Sequence, residues 1–217
     1  MDEGVIQFLL HRGDSSILMD TEAFAVIQSW RYILHQLGLI GQDPDRYHGL
    51  GYGNISLRVS EEHFWISGTQ TGGLSLLLPQ DFARVTRADI DSNQIWADGS
   101  SLPSSEALSH AAVYAASPDA TCVVHIHCPV IWRAAGQLKL PAVAADIGYG
   151  TPAMAHAIYE EVARSPEQGI LTMAGHEDGL LSWGCSHENA CYPIIRYLAS
   201  AEAMTFRKGA ATGVRSP

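Results

Sequence analysis

Two histidines one residue apart form the clearest pair of potential metal ligands in this chain. His125 and His127 lie in the stretch TCVVHIHCPVIW (121–132), which otherwise has the apolar character of a buried β-strand. Residues i and i+2 of a strand point to the same face, so the two imidazoles are expected to project side by side. Neutral imidazole is a common ligand of divalent metals, but two hydrogen-bonded core histidines would show the same spacing.

A metal site of this kind needs a third ligand, and the local sequence favours His176. This residue lies in MAGHEDGLLSWG (173–184), where a predicted strand breaks into a turn from which a side chain can reach a neighbouring strand. The competing histidines are His63, His110, His156 and His187. Those on predicted helices are interpreted as packed or solvated side chains.

Glu106 is the main candidate for acid–base chemistry. It follows two serines in PSSE (103–106), where Ser104 and Ser105 are expected to cap a helix. The carboxylate either favours the helix dipole or lies near a cation and moves a proton. A helix start with hydroxyl groups also suits an anion, as do the small-residue loops YGNIS (52–56) and SGTQTGG (67–73).

The elements that must position these residues alternate between helix and strand. Helical spacing or capping signals predict helices within 20–41, 104–117, 151–165 and 186–208, the last with Pro193 near its start. Strand patterns fall within 46–60, 63–77, 81–100, 121–132 and 169–184. The strand–turn–strand pieces predict an α/β sandwich with a mixed, largely antiparallel sheet.

Bulk composition restricts the class of protein. The 217 residues carry a formal net charge of −10, and the absence of a Lys/Arg run argues against a nucleic-acid partner. The apolar runs are too short to span a bilayer and no signal pattern is seen, so we expect a cytoplasmic protein without a membrane partner. The four cysteines are expected to be small buried thiols. The chain is expected to be one domain, 1–217, with a loose lead-in (1–19) and a flexible tail (209–217).

Five motifs in order resemble those of the class II aldolase/adducin family, the group that contains fuculose-phosphate aldolase and ribulose-phosphate 4-epimerase. They are GNIS (53–56), SGTQTG (67–72), PSSE (103–106), HIH (125–127) and HEDGLLSWG (176–184). The resemblance extends over roughly residues 20 to 205 and implies a three-layer αβα sandwich.

The resemblance also implies a site. A zinc ion or another divalent cation is expected on His125, His127 and His176, with Glu106 as acid–base. The anionic end of a substrate is expected to contact Asn54, Ser67, Gly68, Ser104 and Ser105. ADIGYGTP (145–152) falls where the aldolases place an aromatic residue and the epimerases an aspartate, so Asp146 is either a second acid–base residue or an ordinary turn aspartate.

The implied activity is metal-dependent lyase chemistry. A small keto-sugar or hydroxy-carbonyl substrate, phosphorylated in many relatives, would undergo retro-aldol cleavage through a metal-stabilised enediolate. The alternatives are a sugar-phosphate 4-epimerase or dehydratase of the same family, and a non-catalytic interaction module like adducin. The family also implies a homotetramer.

Two departures from the family pattern, and the composition of the anion-binding motifs, leave questions open. Glu177 and Asp178 separate His176 from Gly179, where family members usually have the glycine directly after the histidine. No tyrosine follows Tyr197 to act from the C-terminal tail, which leaves Asp146, Tyr149 or water to deliver a proton. The anion-binding motifs contain no Arg or Lys, so a carboxylate or a neutral substrate end is also possible.

Overall fold

The computed structural model describes residues 5–212, which form eleven β-strands and five α-helices. The strands are β1 (Leu9–Arg12), β2 (Gly41–Gln42), β3 (Gly51–Tyr52), β4 (Asn54–Arg58), β5 (Phe64–Ser67), β6 (Phe82–Asp89), β7 (Gln94–Asp98), β8 (Cys122–His127), β9 (Ala142–Val143), β10 (Gln168–Met173) and β11 (Gly179–Gly184). The helices are α1 (Thr21–Gln36), α2 (Ala107–Ala116), α3 (Pro129–Leu138), α4 (Pro152–Ala163) and α5 (His187–Thr212).

Nine of these strands form one sheet in the order β1-β7-β6-β5-β4-β8-β11-β10-β9. Its inner pairs are antiparallel, and only the two edge pairs, β1 with β7 and β9 with β10, are parallel. Strands β2 and β3 pair separately as a small antiparallel ribbon. The predicted mixed, largely antiparallel sheet is confirmed.

Helices cover both faces of the sheet, and each face has its own hydrophobic core. Alternation along β8 places Val123 in the core with Leu108 of α2 and Ile158 of α4. The neighbouring Val124 lies in the opposite core, against α1, α3 and α5. This arrangement is the three-layer αβα sandwich that the family resemblance implies.

Helix caps predicted from the sequence are present. The Asp20 side chain accepts a hydrogen bond from the Ala23 N–H at 3.0 Å at the start of α1. Thr151 accepts from the Met154 N–H at 3.2 Å, with Pro152 at the first helical position of α4. None of the described helices is both long and apolar enough to cross a bilayer.

Three segments differ from the sequence interpretation. The strand predicted over 121–132 ends at His127, because Pro129 has no N–H for strand pairing and begins α3, a helix that was not predicted from the sequence. The lead-in 1–19 contains β1, which pairs with β7 at the sheet edge. Of the predicted tail 209–217, residues 209–212 continue α5 and 213–217 lie outside the described residues.

All four cysteines are free thiols, as expected, but only three of them are buried. Cys185 is exposed just before α5, so the prediction of a small buried thiol is wrong at that position.

Candidate metal centre

Three buried histidines converge at one end of β8. His125 and His127 point to the side of the sheet covered by α2 and α4, and His176 lies in the turn between β10 and β11. Because β11 pairs with β8, with Gly179 opposite His127, the turn brings His176 over the pair. One nitrogen from each ring lies within 4.8 Å of the other two, and each residue is at most 3 % exposed.

The donor geometry fits a divalent cation. The Nε2 atoms of His125 and His127 are 3.1 Å apart, close to the ~3.3 Å that two nitrogens of a tetrahedral zinc site would show. The Nδ1 of His125 lies 3.1 Å from the Leu180 carbonyl oxygen. A carbonyl acceptor at that distance orients a ligand imidazole and keeps Nε2 available for a metal. Three imidazoles leave a position for substrate, as in catalytic rather than structural zinc sites.

The competing histidines lie elsewhere. His110 is buried in α2, with its Nδ1 2.7 Å from Ser56 Oγ. His156 is exposed and lies 2.9 Å from Asp91. His63 and His187 are not part of the cluster either, so His176 is the residue that joins the His-x-His pair among those the structure describes.

Glu106 lies beside the histidines rather than capping a helix with its side chain. It occupies the N-cap position of α2 and is 1 % exposed. Its Oε2 accepts a hydrogen bond from Ser109 Oγ at 2.5 Å, and its Oε1 is 3.5 Å from His176 Nδ1. The expected serine cap is present in part, since Ser104 Oγ accepts from the Glu106 N–H at 3.3 Å.

Most of the expected substrate-binding residues line one small polar cavity. Asn54, Gly68, Ser104 and Ser105 surround about 20 Å³ together with Glu106 and His125. Register explains part of this grouping, since Asn54 of β4 lies directly opposite His125 of β8. A space of this volume holds about one water molecule, so a larger group needs the surrounding loops to open.

The donors of this cavity are neutral. No Lys or Arg is found among the residues that line it. The Gly68 N–H already donates to the Asp81 carbonyl at 2.8 Å, and the Thr69 N–H donates to the Leu102 carbonyl at 2.9 Å. Ser67 lies outside the lining, where its hydroxyl accepts from the Ile55 N–H at 3.2 Å. These two backbone N–H groups are therefore not available to a ligand, whereas the side-chain amide of Asn54 and the hydroxyl groups of Ser104 and Ser105 can donate to one.

A buried cation supports the loop that forms one wall of this cavity. Arg31 of α1 is fully buried and donates from Nη2 to the Thr71 carbonyl at 2.7 Å. Burial lowers the pKa of Arg31 to about 10, so the guanidinium remains charged at neutral pH.

Aromatic rings enclose the histidines, and two of them, Tyr47 and Tyr52, were not predicted from the sequence. Tyr47 packs edge-on against His127, with ring centroids 4.6 Å apart, and Tyr52 contacts the same imidazole at 5.5 Å. Tyr149 stacks on His176 at 4.7 Å and 24°. The available signal was the segment RYHGLGYG (46–53), in which arginine and tyrosines interrupt a glycine-rich lead into β4.

The two acids after His176 face different surroundings. Asp178 is 6 % exposed and its Oδ2 accepts a hydrogen bond from the Tyr47 hydroxyl at 2.7 Å. Burial, and then this hydrogen bond, raise the pKa of Tyr47 well above its ordinary value, so the phenol is neutral. Glu177 instead lines a second cavity of about 350 Å³. Its other lining residues are Tyr47, His48, Gly148, Tyr149, Gly175 and His176.

Asp146 is exposed in a turn and lines neither cavity, whereas Tyr149 of the same segment contacts His176. Gly175 permits this approach, because a Cβ at that position would lie 2.0 Å from the Ile147 carbonyl oxygen. Of the two acid–base candidates that the sequence suggested here, the structure brings only the tyrosine to the histidines.

Comparison with known proteins shows that the site lies within a region shared with one family. The family model described as Class II Aldolase and Adducin N-terminal domain matches residues 44–205, about three quarters of the chain. This range includes the three histidines, Glu106 and both cavities. A comparison with curated proteins found no match.

Solved structures share the fold at low sequence identity. The L-fuculose-1-phosphate aldolase of Thermus thermophilus is 18% identical, with a TM-score of 0.68 over 91% of this chain and 100% of that one. A sugar-phosphate aldolase of Thermotoga maritima is 15% identical, with a TM-score of 0.66 over 90% and 97%. An aldolase II superfamily protein of Pseudomonas syringae is 21% identical, with a TM-score of 0.56 over 92% and 82%.

Proposed function

The chain belongs to the class II aldolase and adducin N-terminal domain family, and from that membership we propose that it is a metal-dependent lyase. Its substrate is a small keto-sugar or related hydroxy-carbonyl compound, cleaved at a carbon–carbon bond by a retro-aldol reaction. The observation that carries the proposal is the convergence of three buried imidazoles, one of which, His176, has its Nδ1 3.5 Å from the Glu106 carboxylate.

In this proposal His125, His127 and His176 hold the cation, and the expected ion is Zn²⁺. Such a cation supplies Lewis acidity that stabilises negative charge developing on a substrate oxygen. Glu106 moves the proton. Ser109 holds Oε2, so the carboxylate keeps a defined orientation with Oε1 on the histidine side. Oε1 is therefore the atom expected to take a proton from the substrate and return it.

The two cavities divide the substrate between them. We place one end in the small polar cavity, widened to admit it, against Asn54, Ser104 and Ser105, with Gly68 in its lining and Ser67 next to Gly68 in the chain. Neutral donors there suit a phosphate, a carboxylate or a hydroxyl group. The other end lies in the larger cavity between Tyr47 and Tyr149. Tyr149 is the nearer candidate for a second proton donor, and Asp146 could serve only if its exposed turn moved inward.

Two rival functions make different demands on the same residues. A 4-epimerase or dehydratase would use the same cation and Glu106, and only its products would differ. A non-catalytic module like adducin would not need three buried imidazoles beside a buried carboxylate. The preserved cluster therefore supports an enzyme.

The first test is metal content, measured by elemental analysis on the full chain. We expect about one divalent ion per wild-type chain, and its loss in the His125→Ala/His127→Ala variant. The matched control is His63→Ala/His156→Ala, which also removes two imidazoles but should keep the ion. A wild-type chain that cannot be loaded with any divalent metal would rule out the lyase.

The reaction itself is tested by incubating loaded enzyme with keto-sugar phosphates and their unphosphorylated counterparts. Release of an aldehyde and a smaller ketone supports cleavage. A change of configuration without fragments identifies an epimerase, and loss of water identifies a dehydratase.

We further propose that residues 1–217 act as one domain in a cytoplasmic homotetramer on a small-molecule substrate. Sedimentation at micromolar concentration should give four times the chain mass, and a monomer would contradict the assembly.

A further inference from the structure

Backbone strain is concentrated next to the metal centre. Six non-glycine residues in the described chain have positive φ, and three of them are Tyr47 (49°), His48 (57°) and Asp178 (61°). Tyr47 and Asp178 meet in space, although 131 positions separate them in the sequence. Left-handed conformations cost free energy for residues with a Cβ, and they persist where surrounding contacts impose them.

A charged contact holds the strained residues together. The Tyr47 hydroxyl donates to Asp178 Oδ2 at 2.7 Å, and Arg46 Nη2 lies 3.5 Å from the same oxygen. Arg46 also donates to the Tyr47 hydroxyl. Asp178 is therefore a buried carboxylate with a cation and a phenol as partners, which offsets the cost of burying its charge. We name Arg46, Tyr47 and Asp178 the tyrosine clasp.

The clasp determines where the Tyr47 ring lies. That ring contacts His127 at 4.6 Å and Tyr52 at 5.2 Å, and Tyr52 itself contacts His127. The imidazole and the two tyrosine rings thus contact one another in a cluster of three, in which Tyr47 is anchored through its hydroxyl. Mutation of groups that orient a metal ligand typically lowers metal affinity by about 10- to 100-fold.

The same ring also forms a wall of the larger cavity. Tyr47 and Tyr149 both line it, together with His176 and Glu177, the two residues that precede Asp178 in the chain. A change in the position of Tyr47 would therefore alter the metal site and the cavity that receives substrate together.

We propose that Asp178 is a positioning residue, which acts through Tyr47 to orient His127 and to shape the cavity over the metal. The two-residue segment Glu177–Asp178 between His176 and Gly179 is then part of the site rather than a passive turn. This inference rests on the proposed metal centre, so its test must report on metal binding as well as on turnover.

The experiment compares Asp178→Asn, Tyr47→Phe and the double variant with wild type, in the full chain. Asparagine tolerates positive φ and keeps the side-chain size, so Asp178→Asn removes the charge with little backbone cost. Co²⁺ is the probe, because its visible absorption reports ligand geometry as well as affinity. Two exposed residues outside the site supply the matched controls, Asp91→Asn and Tyr159→Phe.

We expect about a tenfold loss of Co²⁺ affinity in each single variant, a changed cobalt spectrum at saturation, and a larger effect on KM than on kcat. The double variant should be close to the worse of the two single ones, because both weaken the same Tyr47–Asp178 contact, one by removing the donor and the other by replacing the charged acceptor with a neutral amide. The controls should match wild type. Variants that lose only thermal stability, with unchanged affinity and spectrum, would overturn the inference while leaving the proposed lyase intact. A wild type that binds no Co²⁺ would instead overturn the proposed function and this inference with it.

Discussion

Glu106 occupies a position that is costly for a carboxylate. It is 1 % exposed, and a buried charge is stable only when neighbouring groups satisfy it. Ser109 donates to one oxygen and the other oxygen faces His176. A side chain with only a capping role would not need to be turned into the protein in this way.

Replacement of this carboxylate separates catalysis from metal binding. We expect Glu106→Gln to lower kcat by about 10² to 10⁴, the usual contribution of a general acid–base, with bound metal unchanged. Glu22→Gln is the matched control, since Glu22 is an exposed acid in the first turn of α1. Equal activity of the two variants would show that Glu106 is only a helix-end charge.

His110 is a buried histidine with no place in the proposed chemistry. Its Nδ1 lies 2.7 Å from Ser56 Oγ, which in turn lies 2.7 Å from the Tyr114 hydroxyl. Burial lowers the pKa of His110 to about 3. The folded state therefore holds this imidazole neutral at a pH where the unfolded chain would protonate it.

That difference makes stability depend on pH. Above about pH 6.5, the ordinary pKa of histidine, the His110 imidazole is neutral in both the folded and the unfolded chain, so its burial as a neutral group does not lower the free energy of unfolding. As the pH falls from about 6.5 toward 3 the unfolded state binds one more proton, which costs the fold up to about 1.4 kcal/mol per pH unit. Urea denaturation at about pH 7 and pH 5 should show a smaller loss for His110→Asn than for wild type, because asparagine does not titrate in this range. An equal loss would contradict a neutral buried His110.

At the scale of elements, two turns create the site by close backbone approach. The β10–β11 turn carries His176, and the segment between β9 and α4 carries Tyr149. They meet at Gly175, where a Cβ would lie 2.0 Å from the Ile147 carbonyl oxygen. A residue with a Cβ would not fit at this position unless the two segments moved apart.

Two glycine substitutions should therefore act in opposite directions. Gly175→Ala must separate the turns, so we expect the free energy of unfolding to fall by about 1 to 3 kcal/mol and metal affinity to fall with it. Gly136→Ala lies in α3 with nothing within 4 Å of the added carbon, and should stabilise by about 0.5 to 1 kcal/mol. Denaturation with and without Co²⁺ measures both. A neutral Gly175→Ala would contradict the close approach.

At the scale of the whole molecule, the histidines join parts of the sheet that are distant in sequence. β8 lies inside the sheet between β4 and β11, and the cluster links its end to the β10–β11 turn beside the start of α2. A cation bound there would connect these elements in the folded state only, and so would stabilise the fold.

Metal removal should therefore lower the melting temperature. At a free metal concentration about 100 times Kd, the bound ion raises the free energy of unfolding by about 2.7 kcal/mol. For a chain of this size, that corresponds to a rise in melting temperature of about 5 to 10 °C. Thermal melts before and after chelation, followed by metal re-addition, measure it. The His125→Ala/His127→Ala variant should melt at the same temperature in both conditions, and a chelator effect in that variant would place the stabilising ion elsewhere.

Local patterns in the sequence were sufficient for much of this architecture. Three features depend only on residues a few positions apart: the helix caps Asp20 and Thr151, the shared face of His125 and His127, and the strand–turn–strand pieces of the sheet. Such features can be predicted because the helical and strand periodicities, about 3.6 and 2 residues, are properties of the chain itself. The five motifs, in their order along the chain, then indicated the family and, through that resemblance, the three histidines.

The tertiary structure decided what lies around those histidines. Pro129 begins α3 directly after the His-bearing strand, where apolar residues continue and a local interpretation extends the strand. The contact of Tyr47 with Asp178 joins residues 131 positions apart, and Tyr149 rather than Asp146 reaches His176. These contacts depend on how the fold places the segments next to β3, β9 and β11 relative to one another. No periodicity within a short segment encodes that placement, because it results from packing the whole chain around two cores.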